Sequence, residues 1–305
     1  MTPRAALVAA ARETIARGSL SFSLASRLFD RAMRERAWLL YAWCRHCDDV
    51  MDGQALGGEM RGVADPTHAL AAIRVGTSRA LAGEPAEAPF EGLAIVVAEC
   101  AIPMRYIEDH LDGFALDAKG WQPRTEADLL RYCYHVAGSV GCMMAIIMGV
   151  AEDDADTLSR ASDLGLAFQL ANIARDLNED DLAGRNYLPH EWLAELDVPP
   201  GEALKPHFRK RLGVAARWLG ELAESHEASA RIGAARLPFR ARWAVLAAAG
   251  IYGAIVREVV RRGDKAWDER VTISGREKLG LVGRALREAR AVAPEANTRQ
   301  AFSDD

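Results

Sequence analysis

Residues 166–189 read LAFQLANIARDLNEDDLAGRNYLP, and the periodicity of this stretch is that of an α-helix. A helix has 3.6 residues per turn, so positions three or four apart lie on the same face. Four polar residues follow one another at spacings of three, four and four: Gln169, Asn172, Asp176 and Asp180. The stretch therefore predicts a helix that carries two aspartates on a single stripe.

Residues 41–52, YAWCRHCDDVMD, carry a second stripe of the same kind. Its members follow one another at spacings of four, three and four: Tyr41, Arg45, Asp48 and Asp52. Acidic residues on a solvated helix normally alternate with Lys or Arg, because like charges four positions apart repel. Two Asp pairs at this spacing on largely apolar helices therefore favour one shared site over two solvated acidic faces.

The chemistry of such a site follows from its charge. Four carboxylates that face one another across a cavity repel strongly unless cations compensate them. Magnesium takes oxygen ligands and usually binds through one or two carboxylates together with substrate phosphates. Opposed Asp pairs therefore suit a diphosphate held through bridging Mg²⁺, which neutralises the leaving group so that a carbon–oxygen bond can ionise. Arg45 and Arg175 stand beside the two pairs and suit the phosphate oxygens.

Cys44, His46 and Cys47 offer a rival, soft-metal interpretation of residues 41–52. A structural zinc site needs about four ligands, and no second Cys or His pair stands at finger-like spacing in the sequence. Haem attachment requires a His directly after the second Cys, where this chain has Asp48. A redox C-x-x-C is expected near a β-α-β pattern, which the sequence lacks. The two cysteines are therefore predicted to pack in a buried helix.

The composition excludes several classes of protein. Of the 305 residues, 50% are hydrophobic and 27% are charged, which is ordinary for a globular protein. The net charge of −5 argues against nucleic-acid binding, which needs clustered basic residues. Five cysteines are too few, and of the wrong parity, for a disulfide framework. The first apolar run is broken by Arg12 and Glu13 and is too short for a signal peptide, so we expect a cytoplasmic protein.

Helical periodicity recurs along nearly the whole chain, without a convincing alternating strand. We therefore predict a single all-α domain over residues 1–291 and a polar, disordered tail at 292–305. The predicted helices cover residues 4–17, 31–52, 66–82, 89–98, 103–116, 125–149, 152–180, 201–231, 237–262 and 276–291. Residues 132–151 include no formal charge and are long enough to span a bilayer, but their His, Ser, Tyr and Gly content favours a buried helix.

Three motifs resemble those of the squalene/phytoene synthase family and, within it, the bacterial phytoene synthases. They are YAWCRHCDDVMD at 41–52, YCYHVAGSVG at 132–141 and QLANIARDLNEDDLAGRNYLP at 169–189. The resemblance extends from Ser19 to Lys278, and the three motifs have the family's order and spacing. It implies an all-α isoprenoid synthase fold, with antiparallel helices around a central cavity.

The resemblance also implies a reaction. In this family two prenyl diphosphates are joined head to head (1′–1) with release of diphosphate; for the phytoene synthases of carotenoid biosynthesis both are geranylgeranyl diphosphate. The first ionisation gives an allylic cation, which the second substrate captures as a cyclopropylcarbinyl (prephytoene) diphosphate. A second ionisation and rearrangement yield phytoene. The implied cofactor is Mg²⁺ or Mn²⁺, and no NADPH is expected.

Roles for individual residues follow from the resemblance. The implied metal ligands are Asp48, Asp52, Asn172, Asp176 and Asp180. The implied catalytic residues are these four aspartates together with Tyr41, Arg45, Tyr132 and Tyr252. The implied substrate contacts are Phe22, Arg45, Val136, Val140, Gln169, Asn172, Arg175, Arg270 and Lys278. The aromatic rings are suited to a carbocation because their faces are electron-rich without being nucleophilic.

One position departs from the family pattern. Members often carry Ser-Lys-Ser-Phe near the N-terminus, where this chain has Leu20 within Ser-Leu-Ser-Phe. If that Lys contacts diphosphate, another cation must replace it here. The role of the first segment is therefore open, whereas the aspartate motifs are not affected.

Three alternative functions stay open. A sister enzyme would make squalene, dehydrosqualene or hydroxysqualene from C15 farnesyl diphosphate, although the context of Trp43 to Arg45 favours phytoene. A non-catalytic assembly factor of the same fold would lack metal aspartates, and all four are present. A class I terpene cyclase would carry N/D-D-x-x-S/T-x-x-x-E, which NIARDLNED does not match. Because such substrates and products are very hydrophobic, we expect peripheral membrane contact, with other carotenoid-pathway enzymes as candidate partners.

Overall fold

The computed structural model describes residues 2–55, 63–199 and 201–291. No β-strand occurs in these residues, and the prediction of an all-α fold is confirmed. The predicted tail at 292–305 lies outside the described residues, and the single domain at 1–291 stays a prediction.

Thirteen α-helices are present in the described part of the chain, besides the short 3-10 helices Pro206–Phe208 and Gly263–Lys265. They are α1 (Arg4–Gly18), α2 (Leu20–Ser26), α3 (Arg31–Asp52), α4 (Pro66–Leu81), α5 (Ala88–Cys100), α6 (Met104–Ala118), α7 (Glu126–Cys133), α8 (Ser139–Ile147), α9 (Ala155–Leu182), α10 (His190–Glu195), α11 (Arg209–Ala234), α12 (Phe239–Arg262) and α13 (Gly275–Ala291). A π-helical turn, Tyr134–Gly138, connects α7 to α8.

The two helices that carry the aspartate stripes begin at side-chain caps. Asp30 accepts a hydrogen bond from the backbone N–H of Met33 at 2.9 Å and so starts α3. In the same way, Asp154 accepts from the N–H of Thr157 at 3.0 Å and starts α9. Gly53 ends α3 in the left-handed region, at φ 61°, a conformation that glycine adopts without a Cβ clash.

Several predicted boundaries were wrong. Helices α2 and α10 were not predicted, and the predicted helix at 201–231 begins only at Arg209. Pro206 explains the later start, because proline lacks the N–H that a helix interior requires. The predicted helix at 125–149 is interrupted by the π-helical turn, whose extra residue per turn changes which side chains face α9.

The apolar core has two large parts. One packs α7, α9, α11 and α12 together around residues such as Leu170 and Val259. The other packs α1, α3, α4, α5, α6 and α8 around Trp43 and Met143. Helices α8 and α9 pack against each other and join the two parts, so the second aspartate stripe lies on a central helix.

Glycines allow α9 to approach the π-helical turn and α8 very closely. A Cβ placed on Gly165 would lie 2.3 Å from the carbonyl oxygen of Ala137. A Cβ on Gly141 would lie 2.3 Å from the carbonyl oxygen of Ala161. These distances are shorter than any van der Waals contact, so both positions require glycine in this packing.

Among the described residues, two helical stretches are long and apolar enough to cross a membrane, judged by length and composition alone: Glu126–Ile147 and Phe239–Lys265. In each, about half of the apolar stretch is buried inside the protein, at 50% and 56% respectively. Core helices of globular proteins have the same property, which agrees with the buried helix predicted for residues 132–151.

Candidate active site

The C-terminal ends of α3 and α9 lie together. Asp52, the last residue of α3, forms an ion pair with Arg185, which follows α9 by three residues. The backbone N–H of Arg185 donates to the carbonyl oxygen of Asp180 at 2.8 Å. Arg185 therefore connects the two aspartate stripes.

Asp176 lies at a kink in α9, with φ −101° and ψ 17° instead of helical values. Its carboxylate accepts hydrogen bonds from Arg270, at 2.9 Å from Nε and 3.0 Å from Nη2, and from Arg175 Nε at 2.7 Å. These charges hold the pKa of Asp176 below its ordinary value, although burial acts in the opposite direction. Arg270 therefore lies at the second aspartate stripe, and its predicted contact with substrate stays a prediction.

Among the described residues, no arginine donates a hydrogen bond to Asp48 or Asp180, and in this sense we call the two carboxylates uncompensated. Asp180 forms no ion pair with any described residue, and the nearest cationic atom to Asp48, Arg45 Nη1, is 3.7 Å away. Burial raises the pKa of Asp48 to about 7, against the opposing charge of Arg45 and with contributions from Asp52, Asp49 and Asp117. Burial likewise raises the pKa of Asp180 to about 7, with contributions from Asp176, Glu179 and Asp117. One carboxylate of each stripe, Asp52 or Asp176, therefore forms a close ion pair with arginine, whereas Asp48 and Asp180 remain available to a bound cation.

The donors around these carboxylates suit a divalent metal and a diphosphate. The side chains that would hold the metal offer carboxylate and amide oxygens, the ligands preferred by Mg²⁺ and Mn²⁺. Within the described ranges, no three His, Cys, Asp or Glu side chains converge on one point, so substrate oxygens would have to complete the coordination. Two buried atoms near Asp48, Tyr41 Oη and Arg45 Nε, have no hydrogen-bond partner in the described chain and could contact such oxygens. We conclude that these side chains fit a divalent metal ion bound together with a diphosphate.

Three predicted aromatic residues lie in two separate surroundings. Tyr41 packs against Phe22, with ring centroids 5.6 Å apart, and Arg45 lies over the Tyr41 ring at 5.9 Å. Tyr252 stacks on Phe168 with ring centroids 4.0 Å apart. Burial raises the pKa of its hydroxyl, and the charges of Arg175 and Arg45 oppose this effect. These rings are therefore close to the cationic side of the site.

Tyr132 has a different environment. Its ring stacks between Trp121, at 5.7 Å, and Tyr187, at 4.9 Å, and is only 3% exposed. Its hydroxyl donates to both carboxylate oxygens of Asp117, at 3.1 Å. Because neighbouring rings cover Tyr132, its hydroxyl rather than its ring face is directed at a polar group of the site.

Three residues near the aspartates were not assigned from the sequence: Asp117, Arg185 and Tyr187. Arg185 and Tyr187 belong to the G-R-x-Y-L-P segment after α9, so their motif was visible although their roles were not. Asp117, in the last turn of α6, belongs to none of the three motifs. Burial raises the pKa of Asp117 to about 6, and the charge of Arg185 opposes this effect.

The remaining predicted residues occupy less distinctive positions. Gln169 and Asn172 lie half-buried on α9, and Val136 and Val140 are half-buried against the two different parts of the core. Lys278, near the start of α13, forms no ion pair within the part of the chain that the structure describes. The backbone of Leu20 belongs to α2, but its side chain lies outside the description. The roles assigned to these residues stay predictions.

The soft-metal interpretation of residues 41–52 does not agree with the structure. Cys44 and Cys47 are both free, and Cys47 is completely buried. Burial raises the pKa of both thiols, so neither is predisposed to form the thiolate that a metal or a redox partner requires. The two cysteines are packing residues of α3, as predicted.

The raised pKa values predict a pH-dependent stability of the metal-free protein. The folded-state pKa of Asp48 and Asp180 is about 7 against an ordinary value of 3.8, so the folded protein binds these protons more tightly than the unfolded chain does. Their contribution is therefore full below the ordinary value and is lost as the pH rises through about 7. The Asp48 side chain is 38% exposed, which reduces its share through solvent screening.

His110 has the opposite effect on stability at lower pH. Burial lowers its pKa from 6.5 to about 4, so it adds stability as the pH rises between these values. We therefore expect the difference in melting temperature between the Asp48→Asn/Asp180→Asn double variant and the wild type, both in EDTA, to increase from pH 5 to pH 8. A difference that stays constant over this range would contradict the assignment of uncompensated carboxylates.

Comparison with known proteins identifies the family to which the chain is similar. The profile of the squalene/phytoene synthase family matches residues 15–277. The 15-cis-phytoene synthase of Pantoea ananas is 46% identical over 276 residues, which cover 88% of each protein. The 15-cis-phytoene synthase of a Paracoccus species is 43% identical over 283 residues, or 91% of this chain and 90% of the relative.

Solved structures agree with these sequence matches. A dehydrosqualene synthase solved in complex with a ligand superposes with a TM-score of 0.83 at 26% identity, covering 94% of this chain and 98% of that one. A squalene synthase from Alicyclobacillus acidocaldarius, at 23% identity and a TM-score of 0.73, shares the fold. The chain belongs to the squalene/phytoene synthase family.

Proposed function

We propose that this chain is a phytoene synthase, a prenyltransferase that joins two molecules of geranylgeranyl diphosphate head to head to give phytoene and releases diphosphate. The relatives at 43–46% identity that bear the name 15-cis-phytoene synthase support the choice of reaction. A single structural observation carries the chemistry: each of two opposed helices presents one aspartate that accepts no arginine hydrogen bond and whose pKa is raised to about 7, Asp48 on α3 and Asp180 on α9.

The proposed cofactor is Mg²⁺, with Mn²⁺ as the alternative. Asp48, Asp52, Asn172, Asp176 and Asp180 would hold it. A bound divalent cation lowers the barrier to ionisation by neutralising the charge that develops on the departing diphosphate.

Arginine side chains would also stabilise the negative charge on the departing diphosphate. Arg45 has a buried, unpartnered Nε, and Arg175 and Arg270 lie at Asp176. When diphosphate enters, these guanidinium groups can donate to its oxygens in a charge-assisted, bidentate geometry. The chain thus positions both the leaving group and the donors that receive it.

The aromatic residues would act on the organic cation. Tyr41, Phe22 and Tyr252 lie near Arg45 and Arg175, so an allylic cation formed there would contact electron-rich rings. Apolar residues that we assign to the channel, such as Val136 and Val140, would keep out water, which quenches carbocations.

Cellular location is part of this proposal. The substrate and product are long hydrocarbons, so we place the enzyme in the cytoplasm with peripheral contact to the membrane, in reach of other enzymes of carotenoid synthesis. No step of the proposed reaction consumes NADPH.

The deciding experiment supplies purified protein with Mg²⁺ and either geranylgeranyl or farnesyl diphosphate, with and without NADPH, and analyses the extracted lipids. We expect a C40 product with a conjugated triene from the C20 substrate, independent of NADPH. A C30 product from the C15 substrate alone would replace this proposal with a sister activity, for which the similarity to a dehydrosqualene synthase is the supporting observation. No hydrocarbon from either substrate, with folded protein and added detergent, would favour a non-catalytic assembly factor.

A further inference from the structure

Asp117 connects parts of the chain that are distant in sequence. It lies in the last turn of α6, where it accepts hydrogen bonds from Tyr132 of α7, at 3.1 Å, and from Tyr187, at 3.2 Å. Tyr187 belongs to the segment between α9 and α10, which also contains Arg185. A single carboxylate thus joins α6, α7 and this segment.

The surroundings of Asp117 make these bonds costly to lose. Tyr132 and Tyr187 are 3% and 6% exposed, and their rings stack on each other, so their hydroxyls have little access to water. A buried hydroxyl without a partner carries a desolvation penalty. The bonds also have a charged acceptor, because the nearby Arg185 favours the ionised form of Asp117.

The segment between α9 and α10, which contains Tyr187, places Arg185 beside the first aspartate stripe. A single residue, Asn186, separates Arg185 from Tyr187 along the chain, and Arg185 pairs with Asp52. An arginine has many rotamers, so its placement at Asp52 depends on where its backbone is held. The hydrogen bond from the Tyr187 hydroxyl to Asp117 of α6 holds that backbone in place.

We propose that Asp117 is a positioning residue: by accepting hydrogen bonds from Tyr187 and Tyr132, it anchors the segment between α9 and α10 and holds Arg185 at the diphosphate end of the site. This inference deepens the proposed function and rests on it for the identity of the substrate. It assigns to Asp117 no contact with substrate or metal.

Removing Asp117 also removes a negative charge near the aspartates, and the experiment has to separate the two effects. Asp117→Asn and Asp117→Ala remove the same charge, but only the Asn variant keeps an oxygen that can accept a phenol hydrogen bond. Tyr187→Phe changes no charge and keeps the ring stack, but loses the bond. Asp112→Ala is the matched control, because Asp112 is an exposed residue of the same helix that pairs with Arg74 on the surface.

Two quantities are measured for each variant: the affinity for inorganic diphosphate with Mg²⁺, by calorimetry, and kcat with geranylgeranyl diphosphate. We expect Tyr187→Phe to weaken diphosphate binding by roughly 10-fold, and Asp117→Ala to bind roughly 10-fold more weakly than Asp117→Asn, the size expected for one hydrogen bond. The changes in kcat should follow the same order. In the Asp117→Ala background, Tyr187→Phe should have no further effect, because the bond is already absent.

The opposite results would overturn the positioning role. Equal effects of Asp117→Asn and Asp117→Ala would show that only the charge matters, and Tyr187→Phe within twofold of wild type would show that the anchor is unnecessary. If Asp117→Ala does not fold, the two shape-conserving variants, Asp117→Asn and Tyr187→Phe, still decide the question. Diphosphate affinity that depends on Tyr187 in a protein that forms no hydrocarbon would overturn the proposed function and leave the positioning role intact.

Discussion

Asp48→Asn and Asp176→Asn will each lose nearly all turnover while the protein stays folded. Asn keeps the size and one oxygen of the side chain but not its charge, so the attraction for a divalent cation is lost. We expect kcat to fall by roughly 100- to 1,000-fold or more, the range seen when a preorganised electrostatic contact is removed. The measurement is phytoene formation at saturating Mg²⁺, with circular dichroism to confirm the helical content.

The two variants should differ in stability, although they agree in activity. Asp48 is an uncompensated carboxylate, so Asp48→Asn should raise the melting temperature of the metal-free protein. Asp176 accepts hydrogen bonds from Arg175 and Arg270, so Asp176→Asn should lower the free energy of unfolding by about 1–3 kcal/mol.

Asp181→Asn is the matched control for these two variants, since Asp181 is exposed and directly follows Asp180 on α9. It should keep its turnover. Full activity in Asp48→Asn or Asp176→Asn would remove that residue from the metal site. Equal stability changes in the two would contradict the division into compensated and uncompensated carboxylates.

The aspartate stripes could be predicted because helical periodicity is local. Spacings of three and four place Asp48 and Asp52 on one face of α3 whatever surrounds it, and the same holds for Asn172 and Asp176 on α9. The late start of the helix at Arg209 could have been predicted as well, since the sequence contains the Pro206 that delays it.

Asp117 could not be predicted in this way. Its neighbours one turn earlier on α6 are Gly113 and Phe114, so no polar stripe marks it, and its function depends on tyrosines that only the tertiary fold brings near. The kink at Asp176 is similar, because neither proline nor glycine lies within four residues of it. The partners of Asp117 come from other parts of the chain, to which periodicity within one helix is not sensitive.

The close approach of α9 to the π-helical turn leads to the second large prediction. In Gly165→Ala, the new Cβ would lie 2.3 Å from the carbonyl oxygen and 2.5 Å from the carbonyl carbon of Ala137. Both are backbone atoms, so no side-chain rotation can relieve the clash and α9 must move away. We expect the free energy of unfolding, measured by urea denaturation, to fall by about 3 kcal/mol or more, at or above the upper end of typical overpacking costs.

Gly283→Ala is the matched control, because it makes the same chemical change in α13, where no atom lies within 4 Å of the added Cβ. It should stabilise the protein by about 0.5–1 kcal/mol, since glycine in a helix interior is less favourable than alanine. Gly165→Ala should also lower turnover at temperatures where the variant is folded, because Gln169 and Asn172 lie on the same helix and would move with it. If Gly165→Ala instead has the stability of the wild type, the backbone contact between α9 and Ala137 does not exist, and the glycine would have no role in the spacing of the two helices.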